Sequence, residues 1–73
     1  MVLYSQSNWF VIFEITDIQN NTVVVFYDIH GRELINQKLS SDGQVSVKML
    51  KKGLYIYKVY SGENLYKGKL IIQ

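Results

Sequence analysis

From residue 44 onward the chain alternates. Gln44 to Met49 sets Val45, Val47 and Met49 on one side of an extended backbone and Gln44, Ser46 and Lys48 on the other. Leu54 to Ser61 places Tyr55, Tyr57 and Val59 together. Leu65 to Ile72 places Tyr66, Gly68, Leu70 and Ile72 on one side and Lys67 and Lys69 on the other. A period of two matches the pleat of a β-strand, and no window sustains a helical period long enough to compete.

The first half follows the same logic less cleanly. Asn8 to Thr16 reads as a strand, and Asp17 to Asn21 is polar, with an Asn-Asn pair suited to a turn. Thr22 to Ile29 is the next strand. It carries Val23, Val25 and Tyr27 on one face and Val24 and Phe26 on the other, as in a central strand covered on both sides or one bearing an exposed patch. His30-Gly31 turns the chain into a weaker strand, Arg32 to Leu39. Asp42-Gly43 is a hairpin signal, Leu50 to Gly53 a short connection, and Gly62-Glu63-Asn64 another turn. These readings give six strands, or seven if the long first one is broken. Turn signals recur about every 8 to 12 residues, the spacing of a small sandwich or barrel.

With 73 residues, one domain spanning 1–73 is expected. A chain of this size buries only about 60% of the surface that its unfolded form exposes. No cysteine is present, so neither a disulfide nor a thiolate metal site can help, and there is no proline. No stretch approaches the roughly 20 apolar residues of a membrane-spanning helix. Met1 to Ser5 lacks the basic start and apolar run of a signal peptide, so the expectation is a cytoplasmic chain or a piece of a longer precursor. Net charge is +2 but uneven. Residues 1–37 carry Arg32 against Glu14, Asp17, Asp28 and Glu33, a balance of −3; residues 38–73 carry seven lysines against Asp42 and Glu63, a balance of +5. The basic end suits an anionic partner or, more plainly, strand lysines that face water and guard an edge.

Chemistry is scarce. His30, the single histidine, sits in a turn with no nucleophile pattern around it. No residues have metal-ligand spacing, and the five glycines are scattered rather than gathered into a phosphate loop. No cofactor or metal is expected, and no nucleic-acid partner. Most aromatic rings are needed for the core of so small a domain. Tyr60 and one of Trp9 and Phe10 are the exceptions whose exposure would mark a partner surface.

The order of the motifs carries a resemblance. Phe26-Tyr27-Asp28-Ile29-His30-Gly31-Arg32 ends one strand. Val45, Val47 and Leu50 precede Gly53-Leu54-Tyr55, and Lys67 and Lys69 precede Leu70-Ile71-Ile72. From Leu3 to Gln73 the chain resembles the C-terminal sorting domain of the type IX secretion system of Bacteroidetes. It departs from the family after Leu3-Tyr4, where Ser5-Gln6-Ser7 replaces Pro-Asn-Pro.

The resemblance implies an all-β fold, a small immunoglobulin-like antiparallel β-sandwich of six to seven strands. It implies a non-catalytic signal that directs an attached cargo through the periplasm to the outer-membrane translocon, and a sortase-like peptidase that removes it. Recognition would fall on Lys67, Lys69, Leu70, Ile71 and Ile72. Asp28, Gly31, Arg32, Asp42, Gly43, Gly53 and Tyr55 would serve turns and structure. The competing reading is a free-standing sandwich that binds a protein or glycan through exposed aromatics, or pairs with itself as a homodimer.

Overall fold

The computed structural model describes residues 2–7, 9–15 and 21–73. These form seven strands: β1 (Val2–Ser7), β2 (Phe10–Ile15), β3 (Val23–Tyr27), β4 (Glu33–Lys38), β5 (Gln44–Ser46), β6 (Gly53–Ser61) and β7 (Asn64–Ile72). They build two antiparallel sheets, β1-β2-β5 and β4-β3-β6-β7, packed as a small all-β sandwich. β2 pairs with β5, and β3 with β6, across the intervening sequence. This interlock is the Greek-key connectivity of immunoglobulin-like sandwiches.

Alternation decides what goes inside. Val11, Phe13, Val45 and Val47 come from one side of the sandwich; Val24, Phe26, Ile35, Tyr57, Val59, Leu70 and Ile72 come from the other. Phe13 is the joint between the sheets, its ring edge-on to Phe26 at 6.0 Å and to Tyr57 at 5.3 Å. Complete burial of such a side chain stabilises the fold by about 1.5–3 kcal/mol. The buried hydroxyls of Thr22 and Ser61 lie 3.1 Å apart, so neither enters the core without a partner.

Three sequence expectations need correction. The seventh strand is not a break in Asn8 to Thr16: it is β1, earlier in the chain, and Trp9 lies in the turn before β2. Asp42-Gly43 does not close a hairpin but carries the chain from one sheet to the other. There the Phe13 N–H donates to the Gly43 carbonyl at 2.9 Å. Turn chemistry is local and says nothing about which sheet receives the next strand. Finally, Met49 is not inward. β5 ends at Ser46, a turn closes with Leu50 N–H donating to the Val47 carbonyl at 2.9 Å, and Met49 is left 72% exposed. The polar stretch after Ile15 lies outside the described residues up to Asn21, which stands in a turn.

Candidate functional site

The β6–β7 hairpin sets out the site. Its register pairs Val59 with Tyr66, Tyr57 with Gly68, Tyr55 with Leu70 and Gly53 with Ile72 on the inner face. On the outer face Tyr60 pairs with Leu65, Lys58 with Lys67, Ile56 with Lys69 and Leu54 with Ile71. Outward along β7 the order is therefore apolar, basic, basic, apolar. β7 is also the last strand of its sheet, with β6 on one side and no described strand on the other.

Behind this edge the outer face has its own small apolar layer. Val25 points away from the core cluster yet is only 3% exposed. It pairs with Lys58 on β6, whose ammonium lies 5.0 Å from the centre of the Tyr27 ring. Burial raises the Tyr27 phenol above its ordinary pKa; a hydrogen bond with the Tyr60 side chain, the charge of Tyr60 and the charge of Glu33 add to it. Sequence reasoning singled out Tyr60 but missed its link to Tyr27, because that link depends on the pairing of β3 with β6.

The structure divides the five candidate recognition residues. Lys67, Lys69 and Ile71 are exposed on the outer face, whereas Leu70 and Ile72 are 1% and 5% exposed in the core. Among the described residues no carboxylate forms an ion pair with either lysine; the ion pair present joins Arg32 to Asp28 at 3.1 Å. Trp9 and Phe10 are both exposed, at the entry to β2 in the other sheet, with the Trp9 carbonyl accepting from Val47 N–H at 2.7 Å.

The remaining candidates hold turns. Asp28 Oδ1 accepts from the backbone N–H groups of His30 and Arg32, both at 2.9 Å, and Oδ2 accepts from Arg32 Nε. The Arg32 backbone bond, the His30 bond and the guanidinium together hold the Asp28 carboxyl below its ordinary pKa, against a smaller effect of burial. Asp42 accepts from the Ser40 hydroxyl and from Gln44 N–H, and its pKa is lowered by these bonds in that order. Gly31, Gly43 and Gly53 have φ of 85°, 73° and 155°. The Tyr55 hydroxyl donates to the Lys51 carbonyl at 2.6 Å, the geometry of a tyrosine corner at the start of β6. Sequence reasoning missed Gln6, whose amide donates to the Gln73 carbonyl at 3.0 Å and accepts from Gln73 N–H at 3.1 Å. The side chain imitates a strand backbone and fastens the residue after β7 to β1.

Among the described residues no group of His, Asp and Glu could hold a metal ion, and no helix is long and apolar enough to cross a membrane. The arrangement presents a strand edge and an exposed outer face. A family model described as "Secretion system C-terminal sorting domain" matches residues 7–73. No curated protein matches the chain.

Proposed function

The chain belongs to the secretion system C-terminal sorting domain family, that of type IX secretion, and from this premise we infer that it is a signal without catalysis of its own. It directs an attached cargo through the outer-membrane translocon, in a precursor destined for secretion or for the outer membrane. The observation that carries this reading is the match over residues 7–73, nearly the whole chain. The last strand supports it: β7 ends its sheet and turns Lys67 and Lys69 outward, where a receptor can reach them. The translocon and the sortase-like peptidase are the partners in this reading.

The test is a fusion of residues 1–73 behind a signal peptide and a fluorescent reporter, expressed in a bacterium that has type IX secretion. Reporter at the surface or in the medium, absent there in a translocon-deficient strain, is the expected result. Reporter held in the periplasm of both strains, with the domain folded, overturns it. That outcome favours the second reading, a module that binds a protein or glycan through its exposed aromatics. Exposed Trp9, Phe10 and Tyr60, at 60%, 40% and 39%, support the second reading.

A further inference from the structure

We propose that the free edge of β7 takes an added β-strand from a partner protein, and that this strand carries two acidic residues facing Lys67 and Lys69 and an apolar residue facing each of Leu65 and Ile71. The proposal rests on the reading that the last strand carries recognition, and it names the chemistry of what is recognised.

An edge strand leaves backbone N–H and C=O groups unpaired along its length, and an extended peptide can satisfy them. Side chains then choose among peptides, because directly opposed residues on one face favour opposite charges and apolar pairs. Outward along β7 stand Leu65, Lys67, Lys69 and Ile71, all exposed. The complement is apolar, acidic, acidic, apolar at every second residue. That pattern reads the same in both directions, so it fits a parallel or an antiparallel partner.

The alternative role of these lysines is to keep strands away. One outward lysine on the edge achieves that, yet Lys67 is also opposed by Lys58 on β6, an interior strand. Two like charges facing each other disfavour the pair. The Lys58 ammonium lies 5.0 Å from the Tyr27 ring centre, on the side of β3, which leaves Lys67 and Lys69 to answer an incoming charge. A second copy is a poor occupant, since β7 against β7 sets lysines against lysines. The edge therefore rejects its own kind and admits acid-bearing strands, a selection built partly from repulsion. An anionic membrane is the weaker candidate, because the lysines occupy the middle of the strand and the apolar residues its ends.

The test is an amide chemical-shift titration of the 73-residue chain with a synthetic peptide as long as β7, nine residues, of sequence Thr-Val-Thr-Glu-Thr-Glu-Thr-Val-Thr. Saturable shifts centred on Asn64–Ile72 are expected, weakened at least tenfold when both glutamates become lysines and weakened by salt. The Lys67→Glu, Lys69→Glu double variant, with its fold checked by melting, should reverse the preference. Shifts centred on β4, equal binding of both peptides, or no saturation overturn the proposal. So does tighter lysine-dependent retention on phosphatidylglycerol vesicles than on the acidic peptide, or self-association through β7. Reporter export by the same double variant separates the two readings. Export lost in the double variant, when the unaltered chain itself fails to bind the acidic peptide, overturns the acidic-strand partner and leaves the sorting role standing. Peptide binding with unchanged export supports the docking edge and removes its part in sorting.

Discussion

The ring and hydroxyl of Tyr57 occupy the place that a β-carbon would take at Gly68, its directly paired neighbour on β7. A carbon built there overlaps the Tyr57 hydroxyl oxygen and two ring carbons. The ring has little freedom to yield, since Phe13 and Tyr4 stand edge-on to it at 5.3 Å and 6.1 Å. A strand glycine normally weakens a sheet by about 0.5–1 kcal/mol relative to alanine. Here the order is reversed: Gly68→Ala is expected to cost about 1–3 kcal/mol, the usual penalty of overpacking. In a Tyr57→Leu background the same change should be neutral or stabilising. Urea unfolding of the four proteins measures the coupling, and simple additivity would remove the contact from the account.

Gly31 and Gly43 offer a controlled comparison. Both have positive φ, 85° and 73°, so an alanine is strained at either position. At Gly31 nothing lies within 4 Å of an added carbon, whereas at Gly43 the carbon would overlap the Phe13 carbonyl. Gly31→Ala should therefore cost about 1–2 kcal/mol, the left-handed penalty alone. Gly43→Ala should cost distinctly more, because the obstacle is backbone of β2 and cannot rotate away. Equal melting temperatures for the two variants would contradict the packing of the 40–43 turn against β2.

Much of this was legible in the residues themselves. The inward sets of β6 and β7 follow from alternation, and the burial of Leu70 and Ile72 beside exposed Lys67 and Lys69 follows from the same parity. Central β3 was readable from apolar residues on both faces. The rest depended on partners that alternation does not name. β1 carries three polar residues among its six and becomes a strand only by pairing with β2. Asp42-Gly43 looks the same in a hairpin and in a crossover. The Tyr27–Tyr60 link needs β3 beside β6, and the Gln6–Gln73 clasp joins residues 67 positions apart.

Asp28 gives the fold an acid-sensitive turn. Its folded pKa is lowered, so the folded state favours the carboxylate. That contribution is fully present well above the unfolded value of 3.8 and is lost as pH falls through the lower folded value. Asp42 acts in the same direction. Thermal melts of wild type and Asp28→Asn between pH 7 and pH 2 should show the variant less stable at neutral pH and the gap closing in acid. A gap that stays constant would mean that the charge of Asp28 is immaterial.

Tyr55 contributes by a single bond at the corner before β6. Tyr55→Phe keeps the ring against the core and removes only the donor to the Lys51 carbonyl. A loss of about 0.5–1.5 kcal/mol is expected. Because the corner links residues four apart, amide exchange should quicken first in the 51–55 segment. Unchanged stability together with unchanged exchange there would show that water replaces the hydroxyl without cost.

If Lys67 serves recognition as proposed, its substitution separates folding from export, because the two should respond in opposite directions. Lys67→Glu turns the Lys58–Lys67 pair from like to opposite charge, a change worth about 0.2–1 kcal/mol in favour of the fold. The gain should lie near the lower end, since Lys58 is already engaged with Tyr27, and it should shrink in high salt. Reporter export should nevertheless fall, because the outward charge of the edge has been reversed at one of its two central positions. A raised or unchanged melting temperature with reduced export assigns Lys67 to recognition. A lowered melting temperature would instead trace the loss of export to folding, and full export from a well-folded variant would show that the translocon does not read this lysine.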